Sequence, residues 1–188
     1  VDHMRTHLPL LALLLPTLTS AATFDMPLPE FDLIGAIHVV EARQEDTLLD
    51  IARRYDIGQE QIVRANPDVD RWYPGGGTPV TIPTRYILPS APREGLVLNV
   101  PEMRLYYYPK PKAGEQPVVQ TYPVGIGRQD WRTPLGLTKV VGKKKDPTWT
   151  PPASIRKEHA EKGDPLPAVV PAGPDNPLGQ YAMRLGIG

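Results

Sequence analysis

The residue types that perform covalent chemistry at neutral pH are thinly spread in this 188-residue chain. It contains no cysteine, so it offers no thiolate nucleophile, no disulfide and no thiolate metal site. Its histidines, His3, His7, His38 and His159, show no ligand spacing, and no metal or cofactor is expected. His159 sits among Lys157, Glu158, Glu161 and Lys162, which read as a solvated helix face. Gly125-Ile126-Gly127 begins like a dinucleotide fingerprint but lacks the third glycine and a following helical pattern. No Walker-type phosphate loop or His-Glu metal motif occurs, and nothing places a serine, a histidine and an aspartate together. No residue is therefore assigned a catalytic role. The stretch best suited to shape a site is Pro171 to Gly179, where three prolines and two glycines stiffen a loop that runs into Tyr181-Ala182-Met183-Arg184-Leu185. A stiff loop that launches a strand is a common wall of a binding site, and a plain rigid connection is the competing reading.

The elements that position this loop follow from composition and periodicity. Hydrophobic residues make up 40% of the chain, which excludes disorder by composition, and 24 prolines argue for short strands and turns over long helices. The formal net charge is zero. Acidic residues exceed basic ones between His38 and Pro83, and the reverse holds after Gly95. The run Lys143-Lys144-Lys145 reads as solvated, and no nucleic-acid partner is expected.

Met4 to Ala22 has the features of a secretory signal: Arg5, an apolar Leu8 to Leu15 run, and small residues at Ser20 and Ala22. That apolar run is too short to span a bilayer, so an exported protein without a transmembrane segment is expected. Thr23 to Ala36 shows little pattern. His38 to Glu41 reads as a strand, and Asp46-Thr47 starts a helix with Asp50 in the capping-box position. Leu48, Ile51, Ala52 and Tyr55 form its apolar face. A second helix runs from Gln59 to Asn66, stopped by Pro67, and Pro79 to Pro83 is a closing strand.

This strand-helix-helix-strand order, with Asp46-Thr47-Leu48, Ala65-Asn66-Pro67 and Val80-Thr81-Ile82-Pro83, resembles a LysM module over residues 38–83. The resemblance implies binding to N-acetylglucosamine polymers, with Asp46, Thr47, Leu48, Asn66 and Pro67 at the glycan. Glu45 departs from the family's usual glycine and would narrow the groove. A spacer that has kept the fold and lost the ligand is the competing reading.

Residues 84–94 read as a linker. Beyond it the period becomes two: strands are expected at Leu96 to Val100, Met103 to Tyr108, Pro117 to Val124 and Leu135 to Val141. Met103, Leu105 and Tyr107 share one face. A helix is expected from Ala153 to Lys162, with Ser154 as a possible cap and Gly163 as its stop. The fold class is thus an α+β module followed by a mainly β, sandwich-like domain.

Four passages in this second half resemble the L,D-transpeptidase (YkuD-type) catalytic domain over 95–188. They are Pro92 to Gly95 with Arg104 to Pro109; Gly125-Ile126-Gly127 with Thr133-Pro134; Pro147 to Pro151; and Pro167 to Pro177. The resemblance implies a periplasmic enzyme of peptidoglycan. In that family's mechanism a Cys thiolate attacks the diaminopimelate carbonyl of a tetrapeptide stem and expels the terminal D-alanine, and an amine of peptidoglycan or of a Braun-type outer-membrane lipoprotein then takes the acyl group. It also implies that the His-Gly pair and the Ser-x-Gly-Cys-x-Arg motif follow Gly188, so that the domain is expected to be truncated there. Trp149, Asp175 and Asn176 are then candidate substrate-cleft walls, with ordinary core and turn roles as the competing reading. The rival from another class is a non-catalytic peptidoglycan-binding protein complete at Gly188.

Overall fold

The computed structural model describes residues 22–127 and 133–186, which fall into two compact units on either side of the stretch 128–132. Except for Ala22, the signal reading at Met4 to Ala22 lies outside the described residues. Among the described residues the fold is mostly β, with three short helices.

The first unit opens with β1 (Ala22–Asp25) and a long β2 (Leu33–Glu41), followed by α1 (Leu48–Arg54) and α2 (Gln59–Ala65). Thr47 caps α1 through a reciprocal capping box with Asp50. Leu48, Ile51 and Ala52 are the buried face of α1, at the i, i+3, i+4 spacing. Gly58 starts α2 without a side-chain cap, and Asn66 closes it. β3 (Pro79–Ile87) then pairs antiparallel with the whole of β2, from Leu33 opposite Ile87 to Glu41 opposite Pro79.

Strand β2 begins well before His38, where the sequence reading starts it. Gly35 hides the early part, because its φ of +70° breaks the alternation and a Cβ there would meet the Thr84 carbonyl oxygen. Residues expected as linker from Thr84 are strand as far as Ile87, with Thr84, Tyr86 and Leu88 buried. Pro83 reads as a breaker, yet in a two-stranded ribbon its missing N–H can face outward.

β4 (Gly95–Asn99), β5 (Arg104–Tyr108) and β6 (Val118–Pro123) complete a four-stranded antiparallel sheet in the order β1-β6-β5-β4. The buried face of β5 is Arg104, Tyr106 and Tyr108, opposite to the face of Met103, Leu105 and Tyr107. Hydrophobicity alone does not reveal this, since an arginine opens the buried row. Two cores result. One, made of Ala42, Leu48, Ile51, Ile57, Ile62, Val80 and Ile82 among others, lies wholly within residues 38–83. The other packs Ile34, Tyr86 and Leu88 on Tyr106, Tyr108 and Val119 of the sheet. The β2–β3 ribbon supplies side chains to both.

In the second unit β7 (Val140–Lys145) pairs antiparallel with β8 (Tyr181–Leu185), with a bulge between Val140 and Gly142. The strand sits further along than the expected Leu135 to Val141, and its Lys143 to Lys145 are exposed. Between the strands lies α3 (Ala153–Glu161), whose N-cap is Pro152, with no side-chain cap bond; Ser154 does not cap it. Gly163, at φ +78°, follows the last turn and donates its N–H to the Ala160 carbonyl.

Candidate functional site

In the first unit, the loop before α1 and the loop after α2 meet where the Leu48 N–H donates to the Arg71 carbonyl at 3.0 Å. Asp46 is buried there. Its carboxylate accepts from the Arg43 N–H at 3.0 Å and pairs with Arg54. The Arg54 hydrogen bond is the largest cause holding the Asp46 carboxyl below the usual range, and the Arg43 N–H adds to it. Thr47 exchanges hydrogen bonds with Asp50: its Oγ1 accepts from the Asp50 N–H at 3.1 Å and donates to Oδ2 at 2.6 Å. The Leu48 side chain is in the core. Asn66 donates through Nδ2 to the carbonyls of Ile62 and Thr81, both at 2.9 Å, and accepts the Thr81 N–H at 2.7 Å. Pro67 is exposed, and so is Glu45. Of the five expected glycan residues, Asp46, Thr47, Leu48 and Asn66 have side chains engaged inside the protein, and Pro67 is exposed.

What sequence reasoning passed over stands further along the same loop after α2. Trp72 and Tyr73 are exposed, and their backbone N–H groups both donate to Asp70 Oδ1 at 2.8 Å. Those two bonds lower the Asp70 pKa. The Arg71 guanidinium lies 5.9 Å from the Trp72 ring centroid. An aromatic pair directly before Pro74 and Gly75 to Gly77 is the signal that could have found them, because that run builds a displayed turn.

In the second unit the Pro/Gly loop is held by Asn176. Its buried Nδ2 donates to the carbonyls of Pro147 at 2.8 Å and Pro171 at 3.0 Å, and its Oδ1 accepts the Leu178 N–H at 2.9 Å. Trp149 and Val170 exchange backbone hydrogen bonds at 2.9 and 2.7 Å, closing the base of the loop. Trp149 is half-buried and Asp175 exposed. A cleft of about 350 Å³ is lined by Asp146, Gly173, Pro174, Gly179 and Gln180, so both ends of the stiff loop form its wall. Neither Trp149 nor Asp175 lines that cleft. Among the described residues no group of three or more His, Asp or Glu is placed to hold a metal ion, and no helix is long and apolar enough to cross a membrane.

This loop, its strand and its cleft lie within a region, residues 93–186, that matches the YkuD model, the L,D-transpeptidase catalytic domain, over half the chain. The chain belongs to the L,D-transpeptidase family. It is similar to the probable L,D-transpeptidase YbiS of Escherichia coli K12, at 45% identity over 170 residues, covering 89% of this chain and 54% of that protein. The probable L,D-transpeptidase YcfS of the same strain is 46% identical over 178 residues, covering 93% of this chain and 53% of that one. The probable L,D-transpeptidase ErfK/SrfK of Salmonella typhimurium is 41% identical over 181 residues, covering 95% and 57%. The chain spans about half the length of these curated relatives. Within the L,D-transpeptidase match, Asn176 emerges as the residue that sets the loop's shape, and Asp146 as a polar group on the cleft that the sequence reading did not single out.

Proposed function

We propose that these residues serve a peptidoglycan L,D-transpeptidase, exported to the periplasm by the leader at Met4 to Ala22. The reaction is acyl transfer from the diaminopimelate carbonyl of a tetrapeptide stem to an amine of peptidoglycan or of an outer-membrane lipoprotein. The observation that carries this reading is the family match over residues 93–186. The nucleophile must be a cysteine supplied from outside the 188 residues, because none is present among them. This chain's own contribution is positional. Asn176 holds the loop rigid and the loop walls a cleft, while Trp149 and Asp175, which do not line that cleft, are assigned to the stem peptide by family resemblance alone. Rigidity matters because acyl transfer needs the reacting carbonyl held in a near-attack pose.

In the same reading residues 38–83 act as a LysM-like module that contacts the glycan, keeping the enzyme on its polymeric substrate. Its support is the strand-helix-helix-strand order around a closed core.

The test is to read the coding sequence onward from Gly188 and assay the longer product on tetrapeptide muropeptides. The expected result is a downstream cysteine that acquires the acyl group, seen by intact-mass spectrometry, with release of D-alanine. A stop codon directly after Gly188, or a longer product that forms no adduct, would overturn the catalytic reading and favour a peptidoglycan-binding protein.

A further inference from the structure

Trp72 is 53% exposed and Tyr73 86% exposed, in a loop that is otherwise firmly held. Beyond the two bonds to Asp70, the Gly77 N–H donates to the Ala42 carbonyl at 2.9 Å and the Thr78 hydroxyl to the Pro74 carbonyl at 2.6 Å. The Arg71 carbonyl is fastened to the start of α1 through Leu48. Single exposed aromatics need no explanation. Two exposed aromatics on consecutive residues of a fixed backbone are different: ordering that backbone beforehand removes a cost that binding would otherwise carry.

The size and charge of the patch select its ligand. Two aromatic side chains bury at most about 150–250 Å² each, well short of the roughly 800 Å² that each partner gives to a stable protein interface. Val69, an aliphatic side chain of the same loop, packs on the core and is only partly exposed. Asp68 and Asp70 precede the pair, and the Arg71 guanidinium beside Trp72 is paired with Glu60 at 3.7 Å, so the patch has no excess of positive charge for a polyanion such as nucleic acid. A neutral sugar fits both limits. The C–H face of a pyranose ring is flat and apolar enough to stack on Trp or Tyr, and its hydroxyl and acetamido edges remain free for polar neighbours.

We propose that Trp72 and Tyr73 form a stacking platform for the pyranose rings of the peptidoglycan glycan strand. Sugar affinity then resides in these rings and not in the side chains of Asp46, Thr47 and Asn66, which are engaged internally. The inference rests on the glycan-binding reading above and names the surface that carries it.

The experiment measures binding of the full chain to purified glycan strands, with stem peptides removed by an amidase, alongside strands that retain them. Trp72→Ala/Tyr73→Ala is expected to lose at least tenfold in affinity for bare strands, while Trp72→Phe stays within about threefold of the parent, as stacking survives with a smaller ring. If the parent binds bare strands and the double variant binds them within twofold, the platform is overturned and the glycan reading stands. If the parent binds only strands that keep their stems, or neither kind, the platform and the glycan reading fall together. Should the double variant not fold, saturation transfer from aromatic protons of the parent to sugar C–H protons decides: transfer supports the platform, and its absence overturns it.

Discussion

The Arg104 guanidinium lies 4.1 Å from the centroid of the Tyr86 ring, with Arg104 only 2% exposed. It donates to Thr121 Oγ1 at 3.0 Å, Gln61 Oε1 at 3.1 Å and the Asp56 carbonyl at 3.3 Å. One side chain of β5 therefore ties β3, β6, α2 and the α1–α2 turn together, through acceptors that are all neutral oxygens. Planarity suits it to this: the fork bonds at its edges while its face stacks on the ring.

Replacing Arg104 by leucine is expected to destabilise the first unit by about 2–4 kcal/mol. Hydrogen bonds to a charged group are worth about 1.5–3 kcal/mol and a desolvated cation–π contact about 2, offset by relief from burying the charge. Arg104→Lys keeps the charge and loses the flat stack, so it should fall between the two. Urea unfolding of the three proteins measures this. An unchanged midpoint in Arg104→Leu would show that desolvation cancels the clasp.

Asp46 and Asp50 give the two-helix end an acid-labile character. Their folded-state pKa values are depressed, Asp46 chiefly by Arg54 and Asp50 chiefly by the Thr47 hydroxyl. A depressed carboxyl contributes stability that is present above its unfolded pKa of about 4 and is lost as pH falls through the folded value. The urea midpoint of this end should hold between pH 5 and 8 and drop below about pH 4. Asp46→Asn should lower it at pH 7 and flatten the acid limb. A parallel pair of pH profiles would refute the linkage.

Residues 38–83 are expected to fold when produced alone, because every member of the first core lies between them. The measurement is far-UV circular dichroism against urea, where a single cooperative transition is the expected outcome. A featureless decline would mean that the lower half of the ribbon, on the second core, is needed as well.

Asn176→Ala should loosen the stiff loop, leaving the Pro147 and Pro171 carbonyls without a donor at about 1–3 kcal/mol of local stability. Exchange of the Trp149 and Val170 amides reports this, since both are bonded at the loop base. Asn176→Asp should be worse than alanine at pH 7, because a carboxylate would face carbonyl oxygens. It should recover in part at pH 3, where the acid can donate. Protection unchanged in both variants would remove Asn176 from its positioning role.

The exposed Leu135, Leu137, Val141, Tyr181, Met183 and Leu185 lead to a further expectation. The chain as given should associate with rising concentration, as exposed apolar surface and unpaired strand edges do. Sedimentation velocity tests this. Met183→Lys should reduce the association, and a monomer at every concentration would show that this surface is tolerated.

The two-helix end was legible because its signals are local. Thr47 with Asp50, the 48/51/52 spacing and Pro67 all act within one or two turns of chain. The L,D-transpeptidase resemblance was legible because long passages carry it in order. The early part of β2 was not, since the strand's reason to begin at Leu33 lies in Tyr86 and Ile87, more than fifty residues away. Nor was the inward face of β5, because nothing near Arg104 in sequence announces a tyrosine ring to stack on. For the expected glycan residues, a one-dimensional reading cannot separate a side chain turned to solvent from one spent on its own backbone. Asn66 and Asp46 look like ligands for the same reason that they are structural: short polar chains beside free backbone groups.

The β2–β3 ribbon also fixes an orientation. Each strand has nine residues, so at roughly 3.3 Å per residue the ribbon is about 30 Å long, while Arg104 fastens α2 and the α1–α2 turn directly to β5 and β6 beside it. A flexible tether would spread a captured polymer over a cloud of positions, with a local concentration in the millimolar range. A doubled strand locked by Arg104 allows one position and one orientation. Whatever the helical end holds therefore stands in one fixed orientation to the sheet.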